Sequence, residues 1–230
     1  MKKIGLIGGM SWESTLVYYK LINEGVKESL GGLHSSKCTL ESVDFAEIQE
    51  LLDLEDYKTL NQLMVKYAKN LEKYGAEVIL LCCNTMHICG ESIKKAINIP
   101  FLHIAEATGK EIKKHNIRKV LLLGTKSTME KGFYKNVLND IFYIEVIIPT
   151  KNDIETIHNI IYKELVYGIT TSESKNKFLK IIRKAIDKDA EGVILGCTEI
   201  PLLINQNDCE IPTFDTTKIH IESAVEFSIN

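Results

Sequence analysis

The chain has 230 residues, with 28 Lys plus Arg against 31 Asp plus Glu, a formal net charge of −3 and 45% hydrophobic residues. That balance fits a globular chain able to bury one large core or two smaller ones, and it excludes disordered and fibrous classes. It supplies no basic excess to neutralise a phosphate backbone, so nucleic acid is not an expected partner.

No run approaches the roughly 18 uninterrupted apolar residues of a membrane span. The N-terminus lacks the longer apolar core and small-residue cleavage site of a signal peptide. No membrane partner is expected, and the expected location is the cytoplasm. Six cysteines are present: Cys38, Cys82, Cys83, Cys89, Cys197 and Cys209. In that compartment they are not expected to pair, and without a C-x-x-C pair or zinc-type Cys/His spacing no metal is expected either.

In chain order, residues 3–8 form the first short β-rich run, and Gly9, Met10 and Ser11 follow as a loop in which glycine permits close backbone approach. Residues 38–43 read as the second strand, with 42–44 at its end. Leu60, Leu63, Met64, Tyr67, Ala68, Leu71 and Tyr74 then recur at three and four residues, predicting an amphipathic helix stopped at Gly75. Residues 78–83, VILLCC, read as a strand that delivers Cys83 to Asn84, Thr85, Met86 and His87. Further strands are expected at 119–124, ending beside Thr125, at 144–148 and at 192–197. A helix is marked by Phe178, Ile181, Ile182 and Ala185. Near-continuous Val, Ile and Leu suit strands buried on both faces of a parallel sheet, and the alternation with helices predicts an α/β fold.

A long-range repeat organises these elements. Gly8 and Gly124 each end a strand 116 residues apart, and Cys83 and Cys197 do so 114 apart, close to half the chain. Two pseudo-symmetric lobes are therefore expected, each a mostly parallel sheet flanked by helices. The division falls at residues 1–98 with 210–230 for the lobe carrying Cys83, and at 99–209 for the lobe carrying Cys197. Ligands of open parallel sheets sit beyond the carboxyl ends of the strands, so an active site in an interdomain cleft is expected.

Each thiol is expected to leave its strand where a helix begins. There, backbone N–H groups and the helix dipole lower a thiol's pKa from about 8.5 and bind carboxylates. Two such thiols on opposite faces of a substrate carbon would supply the base and the acid that inversion requires. Asn84, Thr85, Thr125 and Thr198 offer groups for an α-carboxylate and α-amine, or caps for their helices. Glu199 suits a substrate ammonium or the first turn of a helix. His87, four residues after Cys83, could return toward the thiol. Of the cationic side chains, Arg118 precedes its strand and Arg183 falls within a helix, which leaves hydroxyls, backbone N–H groups or Lys126 to hold an acidic side chain.

The segments GLIGGMSWEST (5–15), SVDFAEI (42–48), CNTMH (83–87), LLGTKSTME (122–130), GCTEIPLL (196–203) and FDTTKIH (214–220) together resemble the aspartate/glutamate racemase superfamily, on its aspartate or broad amino-acid racemase branch. The resemblance implies catalytic cysteines at Cys83 and Cys197, no pyridoxal phosphate or other cofactor, a small amino-acid substrate and a homodimer. It also implies a closing segment, 214–227, that returns to the first lobe. GLIGGM and Glu199 depart from the DSGxGG and GCTH patterns of glutamate racemases, which weakens the cell-wall glutamate reading. Hydantoin racemisation and non-catalytic binding of a small acid remain as alternatives. A nucleotide-dependent enzyme is disfavoured because Gly5, Gly8 and Gly9 do not make G-x-G-x-x-G.

Overall fold

A computed structural model describes residues 1–230. The chain divides into two compact units, residues 1–104 with 220–230 and residues 105–219. No helix is long and apolar enough to cross a membrane.

The first unit contains β1 (Ile4–Gly8), α1 (Trp12–Leu30), β2 (Cys38–Ser42), α2 (Phe45–Asp53), α3 (Tyr57–Lys73), β3 (Val78–Leu81) and α4 (Gly90–Ala96). Its sheet is parallel in the order β2-β1-β3, with Ile7 opposite both Glu41 and Leu81. The helix expected from the Leu60–Tyr74 spacing is α3, capped by Asp56. Leu60, Met64, Ala68 and Leu71 form its buried stripe, and Gly75 follows at φ +83°. These residues pack on Ile7, Ile79 and Leu81, which places α3 against one face of the sheet.

The second unit begins within α5 (Ile104–Lys114) and continues through β4 (Lys119–Gly124), α6 (Lys126–Glu130), α7 (Gly132–Asn136), β5 (Glu145–Ile147), α8 (Lys151–Lys163), α9 (Ser172–Ile186), β6 (Gly192–Gly196) and β7 (Thr213–Asp215). Its parallel sheet runs β5-β4-β6-β7. Leu121, Leu123, Val193 and Leu195 pack with Ile154, Ile157 and Ile161 of α8 and Phe178 and Ile182 of α9.

The two sheets repeat one pattern: the first strand in sequence is central, the second flanks it on one side and the third on the other. Where the second unit adds β7 beside β6, the first has a single parallel bridge between Ile79 and Phe101. Burial on both faces holds for β1, β3, β4 and β6 but not for β2 or β5, which are edge strands with partly open side chains.

The closing segment divides. Phe214, expected in the first lobe, lies in β7 opposite Ile194 of the second sheet, because main-chain pairing with β6 captures residues 213–215 first. From His220 onward α10 (Thr216–Ile229) belongs to the first unit. There Ile221, Ala224 and Val225 pack with Ile4, Leu6, Tyr18, Ile22, Val78 and Leu80.

Candidate active site

At the carboxyl edge of the first sheet, Gly9 follows β1 at φ +92°, and a Cβ there would stand 2.2 Å from the Val43 carbonyl oxygen. The loop is fastened by the first turn of α1. Gly9 N–H donates to Thr15 Oγ1 (2.8 Å), whose hydroxyl donates to the Ser11 carbonyl (3.0 Å), and Ser11 Oγ accepts from Ser14 N–H (3.2 Å). The Ser14 hydroxyl donates to the Cys82 carbonyl (2.8 Å), tying α1 to the end of β3. Continuing the register of Ile7 opposite Leu81 sets Gly9 level with Cys83. Gly9, Met10, Ser11, Cys83, Asn84 and Thr85 thus share one sheet edge.

The two adjacent cysteines differ sharply. Cys82 is fully buried, and burial pushes its thiol well up, whereas Cys83 is half-buried beyond the strand. Burial also pushes up Cys38 and Cys209, and Cys89 to about 12. Such thiols are disfavoured as thiolates.

The helix expected to begin after Cys83 starts as a 3-10 turn, Thr85–Cys89, followed by the two turns of α4; after Cys197 it is the 3-10 turn Ile200–Leu202, with Pro201 near its start. A 3-10 turn this short aligns few peptide dipoles, so neither thiol stands at the start of a long α-helix with a strong macrodipole. Asn84 makes no side-chain cap, whereas Thr125 caps α6 through Thr128 N–H (3.3 Å).

His87 does return toward Cys83, but to its carbonyl and not its thiol. Nδ1 lies 2.9 Å from that oxygen and must be the donor, since a carbonyl only accepts. Nε2 is buried without a hydrogen-bond partner, and the ring stacks edge-on with His103 at 4.7 Å and His220 at 5.6 Å. His220 Nε2 donates to the Leu102 carbonyl (2.8 Å), so its Nδ1 accepts from the Tyr18 hydroxyl (2.8 Å). Burial holds all three imidazoles neutral, His103 and His220 down to about 4 and His87 well below its ordinary value.

The second sheet edge has its own cluster. Gly124 pairs with Gly196, and a Cβ on Gly196 would stand 2.6 Å from the Leu123 carbonyl oxygen, so glycine here lets β4 and β6 end in close contact. Thr125 is thereby level with Cys197, which is half-buried, and Thr198 and Glu199 follow. The Cys197 thiol donates to Glu199 Oε2 at 2.9 Å. On the far side of β6, the Thr216 hydroxyl donates to the Leu195 carbonyl (2.9 Å), and Thr217 Oγ1 is buried with no hydrogen-bond partner.

Lys126 forms an ion pair with Glu155 of α8. Arg118 precedes β4 and Arg183 lies within α9, both away from the carboxyl edges. No three His, Cys, Asp or Glu side chains are grouped to hold a metal ion. Ser14, Thr15, His103, His220 and Thr217 were not singled out from the sequence. Their positions depend on tertiary neighbours, although SWEST and FDTTKIH contain four of them.

Fold and site together define an α/β protein of two parallel sheets, each ending in a half-buried cysteine at the equivalent strand. The chain belongs to the Asp/Glu/Hydantoin racemase family, whose profile matches residues 7–224. It is 28% identical over 177 residues to the broad specificity amino-acid racemase RacX of Bacillus subtilis, covering 74% of this chain and 73% of that one. Among solved structures, it superposes on a Yersinia pestis protein whose Asp/Glu racemase assignment is itself provisional, at 48% identity and TM-score 0.95 with full coverage of both chains. An aspartate racemase homologue from Pyrococcus horikoshii matches at 36% identity and TM-score 0.88, also over both full chains.

Proposed function

We propose that this protein is a cofactor-independent amino-acid racemase that interconverts L- and D-aspartate, glutamate or both through Cys83 and Cys197. The observation that carries this reading is the duplication of a half-buried thiol one or two residues beyond the equivalent strand, β3 and β6, of two like sheets. One thiolate removes the α-proton from one face of the substrate carbon while the other thiol delivers a proton to the opposite face. The pair titrates as a unit, with one proton shared between two sulfurs at rest.

Gly9, Met10, Ser11, Asn84 and Thr85 from one edge, and Thr125, Thr198 and Glu199 from the other, are the proposed substrate contacts. Backbone N–H groups and hydroxyls there suit the α-carboxylate and α-amine. Thr125 can cap α6 and present its oxygen at the same edge. The side-chain carboxylate falls to hydroxyls, backbone N–H groups or Lys126, which would exchange Glu155 for substrate. The working form is taken to be a cytoplasmic homodimer.

The test is α-hydrogen exchange of L- and D-aspartate in deuterium oxide, followed by NMR, for wild type and both single variants. Wild type should exchange and racemise. Cys83→Ser should lose racemisation yet still exchange one enantiomer without inversion, and Cys197→Ser should do the same for the other. From the family resemblance, Cys197 serves the L-enantiomer and Cys83 the D-enantiomer. Equal exchange of both enantiomers by both variants would overturn the two-base assignment. Activity should also survive dialysis against chelator and carbonyl reagents.

A further inference from the structure

Glu199 lies two residues beyond Cys197, on the turn between β6 and the 3-10 segment, and its Oε2 takes the thiol hydrogen bond at 2.9 Å. Two charged groups on the flanking elements have partners of their own. Asp215 lies 3.9 Å from Lys218 on the β7 side and also accepts N–H bonds from Thr217 and Lys218, while Lys126 pairs with Glu155 beyond β4. Through the 2.9 Å bond the thiol has a carboxylate as a direct partner. A carboxylate in contact with a thiol favours the protonated sulfur, because ionising it would set two negative charges side by side.

We propose that Glu199 is a positioning residue that keeps Cys197 in its thiol form, so that at rest Cys197 is the acid and Cys83 the base. This rests on the two-thiol reading above. In the resting form the Cys83 thiolate accepts the α-proton, breaking one C–H bond and forming one S–H bond. Cys197 then gives its proton to the opposite face, breaking its S–H bond and forming the new C–H bond. Turnover leaves a Cys197 thiolate beside the Glu199 carboxylate, the higher-energy form. It is relieved by reverse turnover or by proton exchange with water. Glu199 thus sets the resting protonation state and leaves the equilibrium between enantiomers unchanged.

The experiment is peptide-resolved alkylation by iodoacetamide across a pH series. In wild type at pH 7, Cys197 should react at least about tenfold more slowly than Cys83. In Glu199→Gln, which keeps an oxygen acceptor without the charge, the midpoint for Cys197 should fall by about one pH unit, equivalent to about tenfold faster alkylation near neutrality. The Cys83 midpoint should not fall. An unchanged or raised Cys197 midpoint in Glu199→Gln, or a wild-type Cys197 that outpaces Cys83, overturns the proposal. Absence of racemisation by wild type would instead remove the function proposed above while the midpoint measurement still decides the role of Glu199.

Discussion

Gly9 joins the end of β1 to the loop that leads into α1 at φ +92°, where a Cβ would meet the Val43 carbonyl oxygen at 2.2 Å. Gly9→Ala is therefore expected to destabilise the protein by at least ~1–3 kcal/mol from backbone strain. A urea denaturation midpoint measures this, and an unshifted midpoint would show that the loop can relax. The repeat that matches Cys83 with Cys197 singled out Cys83 rather than Cys82 from the sequence. Both end the same apolar run, and the structure adds that Cys82 is fully buried whereas Cys83 is half-buried. In the folded protein iodoacetamide should modify Cys83 and spare Cys82, a pattern read directly by peptide mass spectrometry. Ser14 was not legible in the sequence: its hydroxyl reaches the Cys82 carbonyl across 68 positions of sequence, a contact that no local spacing encodes. Ser14→Ala leaves that buried carbonyl short of a donor and should cost ~1–3 kcal/mol.

Among the elements, the turn after Cys83, the segment after the Phe101 bridge and α10 meet at His87, His103 and His220. Their imidazoles are held neutral, chiefly by burial, with Lys94 adding repulsion at His103. Their folded pKa values lie below the ordinary 6.5, His103 and His220 at about 4, so between those limits the unfolded chain binds protons that the folded chain refuses. The stabilising contribution is complete above about pH 6.5 and is lost as pH falls toward 4. Urea midpoints should decline through that window, and His220→Gln should flatten the decline even if its midpoint is lower throughout. A slope unaltered by that variant would place the titrating groups elsewhere. The long central strands and α3 were legible because apolar periodicity reports burial directly. Strand β7 was not, because Thr213–Asp215 lacks the Val and Ile run that marked the equally short β5, and it owes its conformation to β6. Helical segments do begin soon after both cysteines, but as 3-10 turns, because a capping-type sequence marks where a turn starts and not its type or how far it continues.

At the scale of the molecule, the first unit is discontinuous in sequence, since α10 supplies Ile221, Ala224 and Val225 to the core formed by β1, β3 and α1. A chain ending at residue 219 should lose that core while keeping the contiguous 105–219 unit. Limited proteolysis should then digest 1–104 and leave the second unit protected, and uniform resistance would show that α10 is dispensable. The order of synthesis gives the same feature another meaning. Domains generally fold as they emerge, the N-terminal one first. Here the unit begun first lacks Ile221, Ala224 and Val225 of its core until α10 has emerged, whereas the second unit needs nothing made after residue 219. Arrested chains in which residues 105–219 have emerged while the rest of α10 is still held within the ribosome should therefore show a protected second unit beside a still-digestible first, a reversal of the usual sequence of maturation.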